Sequence, residues 1–401
     1  MKKATSSILE ILGRSAGLFE QDWPEYERNL RALVKGRSFL VIGGAGSIGS
    51  AVVKVLAKLE CQELVVIDLD ENGLAELIRD IRATEAESSV RITPFAICCG
   101  SLEFDRLIAA YDHIFDYVLN FSALKHVRSE KDPFTLSRMF ETNVLNAVKL
   151  MNLSSTLGAE KYFCVSTDKA SAPVNLMGAS KRLMEEFCFS ACADVSVSSA
   201  RFANVAFSNG SLLHGFRNRI EKKQPLSVPI DIRRFFMTAE ESAQLCLFSI
   251  LLGVHGEIFI PKETDEFSLT AIIDVASQFL RRQGREPVIV DSAREARELI
   301  TGLDLDRYWP VYASMTDTSG EKLYEEFWTQ DDSVDFSRFK NLGVISFKGI
   351  NPAPNYEDFR RDLNAWQSAR KSEKADLVAL VKFYLGDFNH EETSLNLNEK
   401  M

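Results

Sequence analysis

The sequence predicts an α/β fold, a doubly wound parallel sheet joined to a smaller mixed α/β domain. Three observations support this class. Short apolar runs alternate with stretches of helical periodicity, as in consecutive βαβ units. The first run, Ser38 to Ile42, ends in a glycine cluster that opens a helix, and further runs follow at 63–70, 90–99, 117–123 and 161–167. From about Ser208 the alternation loosens into short extended pieces around a helix at 239–253, which predicts the smaller domain.

Composition limits the class of protein. The 401 residues are 46% hydrophobic and 26% charged, enough to bury a large core, and the net charge is −10 with no segment that concentrates Lys and Arg. A nucleic-acid partner is therefore not expected. The longest apolar stretch near a helix, 244–254, is shorter than the roughly 20 residues that cross a bilayer, and the N-terminal region lacks the apolar core of a signal peptide. We expect a cytoplasmic protein with no membrane span.

The cysteines predict neither disulfides nor a metal site. Their number, seven, is odd, and no two of them have C-x-x-C spacing. Cysteines of this kind are usually small buried hydrophobes in a reducing compartment. We therefore expect no metal.

The glycine cluster predicts a phosphate-binding turn. Gly43, Gly46 and Gly49 have G-x-x-G-x-x-G spacing between the first strand and its helix, and Ser47 and Ile48 stand at the start of that helix. Glycine lets the chain turn tightly and lets a pyrophosphate approach the free N–H groups of the helix. We assign all five residues to a dinucleotide cofactor in a Rossmann-type domain, with a purely structural turn as the alternative.

Asp68 indicates which dinucleotide is bound. It ends the second strand about 25 residues after Gly43, where an acidic residue can grip the ribose hydroxyls of adenosine. A carboxylate repels a 2′-phosphate, so NAD is the preferred cofactor and NADP the alternative. Asp68 could instead be a helix N-cap.

The segment "STDKASAPVNLMGASK", residues 166–181, carries the candidate catalytic residues. A strand delivers Thr167, Asp168 and Lys169 to the carboxyl end of the sheet, where doubly wound folds bind their ligands. Met177 and Lys181 lie four residues apart on the next helix and share a face. Met177 stands where short-chain dehydrogenases carry a tyrosine, and a thioether transfers no proton. The proton carriers that remain are Asp168 and Lys169, helped by Thr167, and Lys181 is placed to bond the nicotinamide ribose.

This segment also sets a condition on the chemistry. A lysine acts as a base only if its pKa falls towards neutrality. Lys181 and an oxidised nicotinamide would lower the pKa of Lys169, whereas Asp168 would raise it unless a closed apolar site keeps that carboxyl protonated. An acid beside a base suits a reaction that removes one proton and delivers another. A structural Asp–Lys pair at a strand end and a surface lysine at 181 are the alternatives.

Longer motifs resemble a known family. The segments "GGAGSIGS", "ALKHV", "ETNVLNAV", "STDKA", "NLMGASKRLMEE", "RFANV", "RRFFMT", "GEIFIPK" and "GEKLYEE" run in order across about residues 37–327. Together they resemble the UDP-N-acetylglucosamine 4,6-dehydratases of the CapD-like polysaccharide biosynthesis group, within the extended short-chain dehydrogenase/reductases. One branch of that family also has Met at the tyrosine position. The resemblance implies a nucleotide-sugar substrate and a homo-oligomer, a dimer or larger.

The resemblance also implies a three-stage reaction. NAD(P)⁺ removes hydride from C4 of the sugar, water is eliminated across C5 and C6, and hydride returns to C6 to give a 4-keto-6-deoxy sugar nucleotide. By position, Lys169 would take the C5 proton and Asp168 would protonate the departing C6 hydroxyl. Thr167 would bond the C4 oxygen, and Lys181 would orient the nicotinamide ribose. Either Lys169 or a water held by Lys181 would receive the proton of the C4 hydroxyl.

The same motifs assign further binding residues by position. Two join the cofactor set, and five form a substrate-binding set divided between the sugar–diphosphate and the nucleotide. They are Ala123 and Met177 for the cofactor, Lys125 and Asn204 for the sugar and diphosphate, and Asn209, Arg234 and Glu321 for the nucleotide side. A surface ion pair is the alternative role of Arg234.

Three positions depart from the family pattern. Gly100 stands where the family has an adenine-contacting aspartate, Asn209 stands where it usually has an arginine, and no arginine precedes "GEK" at Gly320. The last two lie on the nucleotide side of the substrate, so the sequence leaves the identity of the base open.

The predicted domains follow from these assignments. They are an N-terminal helical extension at 1–36, the NAD(P)-binding Rossmann domain at 37–206, a substrate-binding domain at 207–350 intertwined with the first, and a C-terminal helical tail at 351–401.

Three functions compete at this stage. A dehydratase acting on a UDP-N-acetylhexosamine, with UDP-GlcNAc as the first choice, is the main prediction. An NDP-sugar epimerase shares the fold, the cofactor and the first oxidation, but C4 epimerisation needs no acid at C6, so the pair of Asp168 and Lys169 favours dehydration. A non-catalytic dinucleotide-binding protein is the third interpretation, against which the retained Thr167 and Lys181 also argue.

Overall fold

The structure is a computed structural model that describes residues 2–84, 90–111, 115–126, 130–190, 194–315 and 325–390, with side chains from residue 7 onward. Within these ranges the chain forms the following strands: β1 Ser38–Ile42, β2 Glu63–Asp68, β3 Arg91–Ala96, β4 Tyr117–Asn120, β5 Lys161–Val165, β6 Ser196–Ala200, β7 Asn204–Val205, β8 Leu226–Pro229, β9 Arg233–Arg234, β10 Phe236–Met237, β11 Glu257–Pro261, β12 Thr270–Ala271, β13 Glu286–Val290, β14 Tyr308–Ser314, β15 Ser333–Asp335 and β16 Leu342–Ser346.

The helices alternate with these strands. They are α1 Lys2–Ile11, α2 Asp22–Val34, α3 Ser47–Lys58, α4 Glu71–Thr84, α5 Leu102–Ala109, α6 Pro133–Phe140, α7 Asn146–Thr156, α8 Leu176–Ser190, α9 Leu212–Glu221, α10 Ala239–Leu252, α11 Ile272–Arg282, α12 Ala293–Gly302, α13 Tyr356–Ser368 and α14 Lys374–Tyr384. A π-helical turn at Glu141–Leu145 joins α6 to α7, and a 3₁₀ turn at Asp168–Ala170 precedes α8.

The main sheet has the strand order β15-β16-β11-β6-β5-β4-β1-β2-β3 over the described part of the chain. From β3 to β11 neighbouring strands pair in parallel, and β16 and β15 add an antiparallel edge. All five residues of β1 are buried, as expected for a strand covered on both faces. Strand β1 lies between β2 and β4, so the order reverses there and a crevice opens at the carboxyl ends of the strands. The predicted doubly wound α/β fold is confirmed.

Two hydrophobic clusters organise the chain. The large cluster surrounds the main sheet and includes α10, β11 and β16 as well as the strands of the first half. The small cluster joins α9, α11, β8 and β14 around the buried Trp309, and a second, three-stranded parallel sheet in the order β13-β14-β8 belongs to it. The segment 207–350 thus contributes to both clusters.

The N-terminal helices contact both clusters. Ile11 and Leu12, at and just after the end of α1, pack in the small cluster, whereas Leu30 and Val34 of α2 pack in the large one. Between these helices Arg14 forms a bidentate ion pair with Glu241 of α10: Nη1 donates to Oε1 at 2.9 Å and Nη2 to Oε2 at 2.8 Å. Both side chains are buried.

The C-terminal helices cover the outer face of α8. Phe359 of α13 lies 5.2 Å from both Phe187 of α8 and Tyr384 of α14, measured between ring centroids. Helix α8 is therefore enclosed, and its first turn faces the crevice of the main sheet.

Two absences hold for the described residues. None of the helices within these ranges has the length and apolar character needed to cross a membrane. The described cysteines are free thiols, and all but Cys98 are buried, so burial raises the pKa of Cys61 to about 12 and that of Cys99 to about 11. Cys192 lies outside the described residues.

Candidate functional site

The glycine loop between β1 and α3 is built for close approach. Gly43 has φ +75°, and a Cβ added there would lie 2.7 Å from the backbone nitrogen of Ser122. A Cβ on Gly49 would lie 2.2 Å from the carbonyl oxygen of Gly43, so only glycine lets the helix pack against the loop. Because α3 begins at Ser47, its free N–H groups face this loop, an arrangement that suits a pyrophosphate.

Asp68 supports the glycine loop from the neighbouring strand. Its carboxylate accepts hydrogen bonds from the backbone N–H groups of Ala45 and Asp70, at 2.9 and 3.0 Å. The residue that bonds the first turn of α4 is Asp70, which accepts from Gly73 at 2.9 Å, so the alternative role of Asp68 as the N-cap is not what the structure has. Asp68 is half-buried and is not among the residues that line the cavity described below.

A large cavity lies at the carboxyl ends of β1, β4, β5 and β6. Its volume is about 870 Å³, and it continues towards α9 and β8 of the small cluster. The predicted site residues that line it are Gly43, Gly46, Ser47, Ile48, Gly49, Ala123, Lys125, Thr167, Asp168, Lys169, Met177, Lys181, Asn204, Asn209 and Arg234. Glu321 lies outside the described residues.

The charge of the cavity differs from that of the chain as a whole. Among the described residues that line it, five carry a positive charge and one a carboxylate, although the net charge of the chain is −10. The cations are Lys125, Lys169, Lys181, Arg219 and Arg234, and the carboxylate is Asp168. A cavity with this balance suits an anionic ligand such as a diphosphate.

The predicted proton carriers meet directly after β5. Asp168 is buried, and its two oxygens lie 3.2 and 3.0 Å from Nζ of Lys169, while Thr167 donates a 2.7 Å hydrogen bond to the same carboxylate. Hydroxyl, carboxylate and ammonium therefore stand in contact at one wall of the cavity.

A residue that sequence reasoning missed completes this group. Glu325, in the segment between β14 and β15, is buried, and its Oε1 lies 3.4 Å from Nζ of Lys169. The same oxygen accepts a 2.8 Å hydrogen bond from Asn204 and lies 3.3 Å from Nε of Arg234. It belongs to the matched motif "GEKLYEE", but no spacing in the sequence indicates which acid of that motif reaches a lysine 156 residues away.

The two carboxylates change the protonation of Lys169. Burial would lower the pKa of Lys169, but attraction by Asp168 and Glu325 outweighs burial and holds the pKa above its ordinary value. The condition that this pKa falls towards neutrality is therefore not met in the ligand-free protein: Asp168 raises the pKa, as the sequence indicated, and Glu325, which the sequence did not reveal, raises it further. Burial and the nearby Asp168 raise the pKa of Glu325.

Lys181 has the lowered pKa instead. It is 3% exposed, and burial lowers its pKa to about 8. Its Nζ donates a 2.9 Å hydrogen bond to the carbonyl oxygen of Val165 at the end of β5. Met177 lines the same cavity one turn earlier on α8, and its backbone N–H donates to Glu130 at 2.9 Å. The surface-lysine alternative for Lys181 is excluded by this burial.

Helix α9 and the segment before it also line the cavity. The backbone N–H of Asn209 donates a 3.0 Å hydrogen bond to Ser47, which links the segment before α9 to the start of α3. Arg219 of α9 lines the far end of the cavity, and burial lowers its pKa. Its position in an ordinary amphipathic helix gave no signal in the sequence.

Comparison with known sequences places the chain in a family. Residues 39–346 match the family described as polysaccharide biosynthesis protein. The chain is 29% identical over 329 residues to the uncharacterized membrane protein MJ1061 of Methanocaldococcus jannaschii, covering 80% of this chain and 89% of that protein. It is 27% identical over 370 residues to a UDP-glucose 4-epimerase of Rickettsia massiliae, covering 90% of this chain and 94% of that enzyme.

Other relatives extend the comparison. The chain is 28% identical over 331 residues to the capsular polysaccharide biosynthesis protein CapD of Staphylococcus aureus, covering 81% of this chain and 49% of CapD, so it spans about half of that protein. Among solved structures, Pen from Bacillus thuringiensis matches with a TM-score of 0.62 at 22% identity, over 88% of this chain and 98% of Pen, which shows a shared fold. Because the matched range 39–346 covers well over half of the chain, the protein belongs to the polysaccharide biosynthesis protein family.

Proposed function

We propose that the protein is an NAD-dependent nucleotide-sugar 4,6-dehydratase that converts a UDP-N-acetylhexosamine, UDP-GlcNAc in the first place, to its 4-keto-6-deoxy derivative for glycan biosynthesis. One observation carries the proposal. The contact between Asp168 and Lys169, with Nζ 3.0 Å from the carboxylate, puts an acid and a base in one wall of a cation-rich cavity that also contains a phosphate-binding loop.

The residues at the glycine loop fit NAD. The loop leaves no room for a Cβ at Gly43 or Gly49, because it packs directly against Ser122 and against the first turn of its own helix. Such a tight glycine turn at the start of α3 is the arrangement that a pyrophosphate needs. Lys181, buried beneath the same cavity, would hold the nicotinamide ribose, and Asp68 would hold the adenosine ribose. NAD bound there would supply the hydride acceptor for C4 and the donor for C6.

The elimination uses the pair as base and acid. Neutral Lys169 takes the C5 proton, and the electron pair of that C–H bond forms the C5–C6 double bond. The C6–O bond breaks, and its oxygen leaves as water with the proton of the Asp168 carboxyl. Afterwards Lys169 is an ammonium and Asp168 a carboxylate, which is the ion pair that the ligand-free protein has. Thr167, hydrogen-bonded to Asp168, would bond the C4 oxygen.

The proton balance of a whole turnover restricts the acceptor of the C4 hydroxyl proton. The proton on Lys169 returns to C5 when C6 is reduced. The proton that Asp168 gives to the departing water is not returned, so Asp168 must be protonated again in each turnover. The proton lost by the C4 hydroxyl must therefore reach Asp168. Lys169 is the nearest carrier, since its Nζ touches both oxygens of that carboxylate. We propose Lys169, rather than a water held by Lys181, as this carrier.

The anionic part of the substrate would lie towards Lys125 and Arg234. Guanidinium and ammonium groups pair with phosphate oxygens, and both residues line the cavity. Asn209 and Glu321 remain proposed contacts of the nucleotide.

An epimerase is the second candidate. The chain is 27% identical to a UDP-glucose 4-epimerase in an alignment that covers 90% of this chain, and this similarity supports an epimerase. Epimerisation needs the same cofactor but no acid at C6, so it would leave Asp168 without a role.

Product mass separates the two functions. The purified protein is incubated with UDP-, GDP- and dTDP-linked hexoses and N-acetylhexosamines without added reductant. A product lighter by one water from a UDP-N-acetylhexosamine supports the dehydratase. A sugar isomer of unchanged mass would replace that proposal by the epimerase.

A further inference from the structure

Glu325 has a position that the proposed reaction does not yet explain. It is 6% exposed and is not itself one of the residues that line the cavity. Its segment connects β14 of the small sheet to β15 of the main sheet, so it reaches the catalytic pair from a distant part of the chain.

The carboxylate of Glu325 gathers the polar groups of three other segments. Its Oε1 lies 3.4 Å from Nζ of Lys169 and 3.3 Å from Nε of Arg234, and it accepts a 2.8 Å hydrogen bond from Asn204. Its Oε2 accepts a 3.1 Å hydrogen bond from the backbone N–H of Phe235. One oxygen thus contacts the proposed base, Lys169, and two residues predicted to bind the substrate, Asn204 and Arg234.

The charges in this group balance only when Glu325 is counted. The charged groups that act on Lys169 are the carboxylates of Asp168 and Glu325 and the guanidinium of Arg234. Two carboxylates face two cations. Without Glu325, Lys169 would keep one carboxylate neighbour and would stand near an Arg234 whose charge is no longer offset. Both changes favour the neutral amine of Lys169.

We propose that Glu325 is a positioning residue for the acid–base pair: its carboxylate holds Lys169 and Arg234 at one oxygen, keeps Lys169 protonated in the ligand-free protein, and so sets the pH range in which Lys169 can act as a base. The catalytic part of this inference rests on the proposed function, in which Lys169 is the base. The effect of Glu325 on the charge of Lys169 does not depend on that function, since it follows from the contacts of the carboxylate.

A buried crosslink is the competing explanation of Glu325. A crosslink would hold the chain segments together and would not change the titration of Lys169. The test therefore needs a measurement of that titration that does not depend on turnover.

The first measurement is the pH dependence of Lys169 acylation, read by mass spectrometry of its peptide in the full-length protein. Glu325→Gln keeps the size and one hydrogen-bonding oxygen but removes the charge. We expect the midpoint of Lys169 reactivity to move to lower pH by about one unit or more. Glu326→Gln, the same change at the exposed neighbour, is the matched control and should leave the midpoint in place. An unmoved midpoint in a folded Glu325→Gln protein would overturn the inference.

Glu325→Asp protects the test against a failure of folding. It keeps the charge but draws it away from Lys169, so the midpoint should move in the same direction by a smaller amount. If Glu325→Gln does not fold, an unchanged midpoint in Glu325→Asp would overturn the inference just as well.

The second measurement is the pH profile of kcat/KM with UDP-GlcNAc. The acid limb should move to lower pH in Glu325→Gln together with the labelling midpoint. A lower kcat/KM with both midpoints unchanged would make Glu325 a crosslink and contradict the inference. If the wild-type protein makes no dehydrated product, the proposed function fails, while the labelling result still decides the role of Glu325.

Discussion

Replacing Lys181 with methionine should stabilise the ligand-free protein at neutral pH, although it removes a residue proposed to hold the cofactor. Lys181 is 3% exposed, and burial lowers its pKa from 10.5 to about 8. The folded protein therefore binds the Lys181 proton more weakly than the unfolded chain does. The free energy of unfolding then rises with pH between about 8, the pKa of Lys181 in the folded protein, and 10.5, its pKa in the unfolded chain. Below pH 8 the buried charge of Lys181 lowers the free energy of unfolding by roughly 3 kcal/mol.

Methionine has a similar length and no charge to bury. The loss of the hydrogen bond to the carbonyl oxygen of Val165 costs about 1 kcal/mol, so the net gain at pH 6.5 should be about 2 kcal/mol. Because the penalty in the wild type falls by about 2 kcal/mol between pH 6.5 and 9.5, the advantage of Lys181→Met should nearly vanish at the higher pH.

The assay is denaturant unfolding of both proteins, without NAD, across that pH range. Lys382→Met, at an exposed lysine of α14, is the matched control and should show no such pH-dependent difference. A constant difference between wild type and Lys181→Met from pH 6.5 to 9.5 would refute the claim that Lys181 is held with a lowered pKa.

Three further changes test separate parts of the account. Lys169→Ala should abolish product formation while NAD still binds, as measured by turnover and by calorimetric titration; full activity would refute the assigned base. Gly49→Ala puts a methyl group 2.2 Å from a carbonyl oxygen of the phosphate loop, so NAD should bind tenfold or more weakly, equivalent to about 1.4 kcal/mol, and unchanged affinity would contradict the fit. Arg14→Met leaves Glu241 as a buried charge and should cost about 3–5 kcal/mol in denaturant unfolding, whereas Arg294→Met, at an exposed ion pair, should cost less than about 1 kcal/mol.

The local parts of the site could be predicted from the sequence. The glycine spacing at Gly43 and Gly49 and the i, i+4 relation of Met177 and Lys181 are properties of one turn or one helix. The geometry then follows from the strand before each motif. These residues line one cavity because parallel strands end at the same edge of a sheet.

The parts that were missed depend on distant contacts. Glu325 reaches Lys169 across 156 residues, and its burial could not be inferred from a polar motif. The contribution of Glu325 to the pKa of Lys169 could not be foreseen for the same reason, since the sign of the shift depends on how many carboxylates surround the amine. The sequence also did not show that the carboxylate of Asp68 accepts a hydrogen bond from the backbone N–H of Ala45 in the glycine loop. The contact of Asp68 with the adenosine ribose stays a prediction.

Local sequence patterns also could not predict which sheet the strands of the second half of the chain join. Strand β11 and helix α10 lie in a segment where the alternation of strand and helix loosens. Nevertheless β11 extends the main sheet, and α10 packs in the large hydrophobic cluster around it. The antiparallel pairing of β16 with β11 returns the chain to that sheet after the small domain. Only tertiary pairing decides this, since a short apolar strand has the same pattern in either sheet.

The most direct test of the central claim follows one deuterium atom. UDP-GlcNAc labelled with deuterium at C4 is incubated with the purified protein and no added reductant, and the product is analysed by mass spectrometry and NMR. The account predicts a product that has lost one water and carries the deuterium at C6, because hydride leaves C4 and returns to C6 within one turnover. A product of unchanged mass with deuterium still at C4 would contradict dehydration and identify an epimerase.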